Sequence, residues 1–106
     1  MSEYTPDVYR RFSTMYPEVM GAYGALAEKL REAGPLTERE RQLVKLAIAI
    51  GEASDGAVRS HARRAIAAGV EPDAVRHVAL LAISTAGYPT AMAAWGWINQ
   101  VLDAAE

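Results

Sequence analysis

Residues 36–69 read LTERERQLVKLAIAIGEASDGAVRSHARRAIAAG, and the reading of this stretch decides the fold. Thr37 with Glu40 three positions on forms a capping box, the signature of a helix start. Behind it Leu43, Val44, Leu46, Ala47 and Ile50 recur at helical spacing and mark a face to be buried, and Gly51 ends the run. Ser54 or Asp55 can cap the next helix. That helix carries Val58, His61, Ala62, Ala65 and Ile66 on one side and stops at Gly69. Two amphipathic helices separated by a short polar turn are therefore predicted at the centre of the chain.

The same punctuation continues in both directions. Upstream, Thr5 and Pro6 read as the N-cap and first residue of a short helix to about Met15. A second segment runs from Tyr16-Pro17 to Ala33, with Gly34 as its stop and Val19, Tyr23, Leu26, Ala27 and Leu30 at helical spacing. Downstream, Pro72 opens PDAVRHVALLAISTA, ended by Gly87. Apolar residues cover most of its circumference, so it is expected to be central and buried. Pro89 starts the last helix, through about Ala104. Met92, Trp95, Asn99 and Leu102 lie along one face of it, while Trp97, Ile98 and Val101 fall partly on another, which suggests a second partner surface and hence oligomerisation. No alternating run long enough for a sheet occurs. The sequence predicts an all-α fold of five or six helices in a single domain over residues 1–106.

Composition narrows the function classes. Of 106 residues, 51% are hydrophobic, too many for a disordered chain, and 21 are alanine, which suits closely packed helices. The net charge of −2 gives no pull towards nucleic acid or an anionic membrane. No cysteine is present, which excludes disulfides, thiolate metal sites and thiol chemistry of the chain's own. Two histidines without convergent carboxylates make a poor zinc site, and no phosphate loop or nucleophile elbow occurs, so no metal or cofactor is expected. No run approaches the roughly 20 apolar residues of a membrane span. A soluble cytoplasmic protein is the expectation.

The ordered set of LTERE, LVKLAIA, His61 followed by ARRAIAAGV, EPDAVRHV and AGYPTAMAA, from Leu36 to about Ala94, resembles the carboxymuconolactone decarboxylase family, which includes the alkylhydroperoxidase D-type proteins. The resemblance implies an all-helical alkylhydroperoxidase D-like bundle built round a helical hairpin. It also implies a homo-oligomer, a trimer or a hexamer. The peroxidase-like branch looks like E…CxxC…H. Aligned on His61, its cysteine positions fall on Ser54 and Ala57 and its relay glutamate on Gln42. Serine is not a redox group, alanine has no reactive side chain and glutamine cannot relay a proton near neutral pH, so the family's peroxidase mechanism is excluded. The cysteine-independent branch is similar to the cofactor-free decarboxylase of aromatic catabolism, with a glycine, charged residues and then Arg-x-His. Gly51, Arg59 and His61 fit, while Gly56 and Ala57 stand where charge is expected.

The candidate site residues follow. The resemblance implies His61 as proton donor in loss of CO₂ from a small carboxylate or lactone, with Glu52 or Asp55 orienting the ring and raising its pKa. Read from its neighbours Val58, Ala62 and Ala65 alone, His61 is a core histidine instead. Gln42, Ser54 and Tyr88 are the candidate substrate contacts; Gln42 also reads as a hydrogen-bonding neighbour and Tyr88 as a core aromatic. Arg59, two positions from His61, points to another side and reads, with Arg63, Arg64, Arg76 and His77, as solvated or interface charge. A catalytically silent oligomer that binds a small ligand or a protein is the reading from a different class.

Overall fold

A computed structural model describes residues 7–105. It contains α1 (Asp7–Met15), α2 (Pro17–Glu32), α3 (Glu38–Gly51), α4 (Asp55–Ala67), α5 (Pro72–Ala82) and α6 (Tyr88–Ala105), with no strand among the described residues. The all-α expectation holds. The predicted cap at Thr5 and Pro6 lies outside the described residues. The chain forms two compact units, one carrying α1 and α2, the other carrying α3 to α6.

In the first unit α1 and α2 are consecutive helices broken at Tyr16-Pro17, where proline takes the first helical position and its missing N–H costs nothing. The ring of Phe12 packs on Tyr16 at a centroid distance of 5.1 Å. None of the described residues of either helix is buried, and Val19, Tyr23, Leu26 and Leu30 are each more than half exposed. The helical spacing of these four residues thus forms a helix but no core of its own.

The second unit holds the core. Leu46, Ile50, Val58, Val75 and Ile98 are its largest fully enclosed side chains, with Ala49, Ala62, Ala65, Ala79 and Ala94 between them. No polar or charged residue is buried among the described ones. α3 begins as read from sequence: the Glu40 amide donates to Thr37 Oγ1 at 3.1 Å, and the Thr37 amide donates to Glu40 Oε1 at 2.9 Å. The Thr37 backbone bond, joined by the hydroxyl, holds the Glu40 carboxyl below the usual range.

Three expectations are corrected. On α3 the buried residues are Leu46, Ala49 and Ile50, while Val44 and Ala47 face outward. A single helix face spans only about 100°, too narrow to hold all five predicted positions. α5 stops at Ala82 and does not reach Gly87; it packs on α3, α4 and α6 as expected of a central helix, but its outer side carries exposed Leu80 and Leu81, so it is buried on one side only. The residues after it turn through short-range bonds, Ile83 N–H to Leu80 O and Thr85 N–H to Ala82 O, and left-handed Gly87 closes the turn. On α6 the buried line is Ala91, Ala94, Ile98, Val101 and Leu102, and Met92 is exposed. Small residues lead that line because α6 packs against both α4 and α5.

The α3–α4 turn carries the one backbone strain among described non-glycine residues. α3 ends at Gly51, but the left-handed residue is Ala53, with φ of 55°. The Ser54 amide reaches back to Ala49 O at 3.2 Å and the Ala53 amide to Ile50 O at 2.9 Å, the bond pattern that fixes a left-handed residue at a helix end. An L-residue there costs about 1–2 kcal/mol, and glycine adds roughly 0.4–1 kcal/mol of unfolded-state entropy. Ala53→Gly is therefore expected to raise stability by about 0.5 kcal/mol, read from urea midpoints at constant slope.

Candidate functional site between α3 and α4

α3 and α4 pack side by side and run in opposite directions through the Ala53 turn. Their register follows from counting. Lys45 lies six residues before the end of α3 at Gly51, and His61 six residues after the start of α4 at Asp55. Both therefore stand about 9 Å from the turn, at one level. Gln42 and Arg64, nine residues from the same ends, share the next level.

His61 sits at the edge of the α4 face whose centre is Val58, Ala62 and Ala65. The ring is half-buried. Its Nδ1 is enclosed and has no hydrogen-bond partner among the described residues, while the residue as a whole stays partly open to solvent. Burial, then the positive charges of Arg64 and Lys45, hold its pKa below the ordinary histidine value of 6.5. This reverses the expectation of a raised value. Among the described residues no ion pair or hydrogen bond joins a carboxylate to the ring, and one of the two acids of the turn is engaged elsewhere.

That acid is Asp55. Its Oδ2 accepts from Arg59 Nη2 at 2.7 Å, and this bond, followed by the Gly56 amide, lowers its pKa. Arg59 also donates to Gln100 of α6 at 3.3 Å, so it is a half-buried tie between α4 and α6 and not a free surface charge. Arg76 does the same for α5, with Nε donating to Asn99 at 2.9 Å and Nη1 to Asp73 at 3.3 Å. Glu52 is exposed in the turn. Ser54 occupies the N-cap position of α4 in extended conformation, without a side-chain cap bond.

Gln42 falls in line with Leu46 and Ala49 on the inward face of α3. Its Nε2 donates to Glu38 Oε2 at 3.0 Å, which fixes the amide orientation. Its Oε1 is enclosed without a partner. Tyr88, at the first residue of α6, is 61% exposed, which removes the core-aromatic reading. The structure thus brings His61 and Gln42 onto facing helices, and leaves Glu52, Asp55 and Tyr88 at the surface.

Sequence reasoning passed over Lys45, which is half-buried, and treated Arg64 as ordinary surface charge. Neither forms an ion pair among the described residues. The signal that finds them is the equal count from the two helix ends at the turn.

The lowered His61 pKa fixes the sign of a pH effect. Just below pH 6.5 the unfolded chain takes up a proton that the folded chain resists, so protonation favours unfolding. The stability from neutral His61 is complete above about pH 6.5 and is lost as pH falls through the lowered folded value. The His61 ring resonance is expected to titrate below 6.5 in the folded protein, and His61→Gln is expected to flatten the melting temperature over the same window. A ring that titrates at or above 6.5 contradicts this.

Among the described residues no group of three or more acids and histidines is placed to hold a metal, and no helix is long and apolar enough to cross a membrane. Comparison with curated proteins and with solved structures gives no significant match. A family model does match, over residues 17–100, and its description is the carboxymuconolactone decarboxylase family. With cysteine absent, the capped α3 helix in place and His61 on the helix that follows the turn, the chain belongs to the carboxymuconolactone decarboxylase family, as a cysteine-free member.

Proposed function

We propose that the protein carries out cofactor-free acid–base chemistry on a small carboxylate or lactone, with His61 moving the proton. The observation that carries this is the His61 ring itself. It is half-buried, it has one nitrogen enclosed without a partner among the described residues, and burial and two nearby cations hold its pKa below the ordinary histidine value. A merely structural core histidine normally satisfies both nitrogens.

In the proposed reaction the bond between carbon and the leaving carboxylate breaks. CO₂ departs and the electron pair stays on carbon. His61, protonated from solvent, gives its proton to that carbon and returns to the neutral ring. The low pKa makes imidazolium a stronger acid than usual but scarcer at neutral pH. A substrate carboxylate beside the ring offsets both cations and lets it take up the proton. Gln42 Oε1, which only accepts, would take a hydrogen bond from a substrate hydroxyl or a bridging water, and Ser54 and Tyr88 are the further contacts of the proposal.

The test is CO₂ release from a panel of carboxylated lactones, comparing wild type with His61→Gln. Equal turnover in both sinks the role of His61. Wild-type turnover that rises with pH above 7 also counts against a proton donor whose pKa is lowered.

Homo-oligomerisation, as a trimer or hexamer, belongs to the same proposal and to the catalytically silent alternative. Its support is the apolar line of α2, Val19, Tyr23, Leu26 and Leu30, each more than half exposed. Single exposed leucines are ordinary, but four along one helix make a patch. Multi-angle light scattering is expected to give a mass well above the 11.4 kDa of one chain, and a monomer at micromolar concentration overturns it.

A further inference from the structure

We infer that α2 pairs antiparallel with α2 of a second copy of this chain, along a seam of Val19, Tyr23, Leu26 and Leu30. This rests on the proposed homo-oligomer and names the contact within it. The four residues step by four, three and four positions, the alternation that keeps one stripe turned to a partner helix. On a straight helix they fall within about 60° of one another. Tyr16 leaves helical geometry, with φ of −132° and ψ of 64°, so the straight part of the stripe is that of α2. Ala22 stands on one flank and Ala27 on the other, small enough to let a second helix come close. The opposite side of α2 holds Gly21, Gly24 and Glu28, which give a partner helix nothing apolar to cover.

The stripe is its own complement when reversed. Antiparallel copies centred between Tyr23 and Leu26 bring Val19 onto Leu30 of the partner subunit and Tyr23 onto Leu26 of the partner subunit. Each layer then joins a larger side chain to a smaller one, whereas a parallel pair would stack ring on ring at Tyr23. The charges beside the stripe agree. Glu18 lies near the first end of α2 and Lys29 near the last, both on the Ala22 flank, so reversal brings opposite charges together and parallel alignment keeps them apart. Lys29 holds Glu32 of its own helix at 3.8 Å, with both side chains largely in solvent. None of the described residues of α2 is buried, and a lone helix of about this length is marginal in water, so a partner is needed to hold it. More than half of each seam side chain is open, roughly 100 Å² apiece. With the flanking alanines the pair removes about 1,000 Å² from water, the lower size of a specific interface. The contact is two-fold: a hexamer of three pairs or a plain dimer contains it, and a lone trimer does not.

The chain has no cysteine, so single introduced thiols report on the pair alone. Val19→Cys and Leu30→Cys proteins are mixed in urea, refolded together and treated with a short bis-maleimide. The mixture is expected to give a covalent pair with one chain of each kind, because antiparallel seating puts the two positions in one layer. Either variant alone is expected to stay uncross-linked, since its two thiols then lie about 16 Å apart along the axis. Cross-linking of Val19→Cys with itself, or none in the mixture, overturns the inference. Leu26→Lys sets two ammonium groups against each other in the seam and is expected to weaken pairing roughly 100-fold. Light scattering at micromolar concentration should then read half the wild-type mass or less. Glu28→Lys, on the far side of α2, is expected to keep the wild-type mass. An unchanged mass in Leu26→Lys, or an equal loss in Glu28→Lys, also overturns the inference. If Leu26→Lys fails to fold, the cross-linking decides, because both thiol variants replace exposed apolar residues without adding charge.

The seam and the homo-oligomer fail separately. A larger wild-type mass that Leu26→Lys leaves unchanged keeps the homo-oligomer and removes the seam. A wild-type mass of one chain removes both.

Discussion

Replacing His61 by glutamine is expected to lower decarboxylation by about 100-fold to 10,000-fold, the range that a positioned acid–base group contributes. Glutamine keeps a polar side chain of similar reach but holds no exchangeable proton near neutral pH. The loss should fall on kcat, because proton delivery to carbon happens after the substrate is bound, and KM should move little. The wild-type rate should decline as pH rises above the lowered His61 value, and the residual rate of the variant should lack that limb. A variant that loses only substrate affinity would make His61 a binding residue and move the chemistry elsewhere.

Leu46→Ala is expected to cost about 3 kcal/mol, within the 2–5 kcal/mol observed for buried leucine truncations. Leu46 is fully enclosed in the core of the second unit, on the α3 face that packs on α4. Removing three carbons leaves a cavity in a core that also holds Ala49, Ala62, Ala65, Ala79 and Ala94, whose methyl groups cannot extend to fill it. The urea midpoint should fall with an unchanged slope, and the melting temperature should drop by roughly 10–20 °C for a unit of this size. A loss below 1 kcal/mol would mean that the helices close up around the gap. Such closure would displace Lys45, the neighbour of Leu46, from its level opposite His61.

The sequence made the helices legible wherever a local signal carried them. Thr37 and Glu40 marked the start of α3 because the capping box is made within four residues. Gly69 took a left-handed conformation as its place after α4 required. The α3–α4 turn was less legible: alanine at position 53 carries a conformation that only glycine would have announced. The end of α5 was also hidden, since Ile83 to Ala86 contain no glycine or proline and leave the helix through local turn bonds that only Gly87, further on, announces. For the site, His61 was legible by family spacing. Its surroundings were not. Asp55 is four residues before Arg59 on one helix, a spacing that forms an ion pair by itself, so its loss to His61 could have been foreseen. Lys45 needed the hairpin register, a relation between two helices that no single-helix pattern contains.

The core of the second unit sets one further condition. Ala49, Ala62, Ala65, Ala79, Ala91 and Ala94 supply six of its fourteen buried positions. Apart from glycine, alanine can only be exchanged for something larger, so sequence drift at these sites acts as a wedge rather than a gap. Ala62 and Ala65, both fully buried, are the chain neighbours of His61 and Arg64 on α4. The spacing of α4 from the helices packed on it is thus written in methyl groups. A larger side chain there would move His61 and Arg64 without changing either residue.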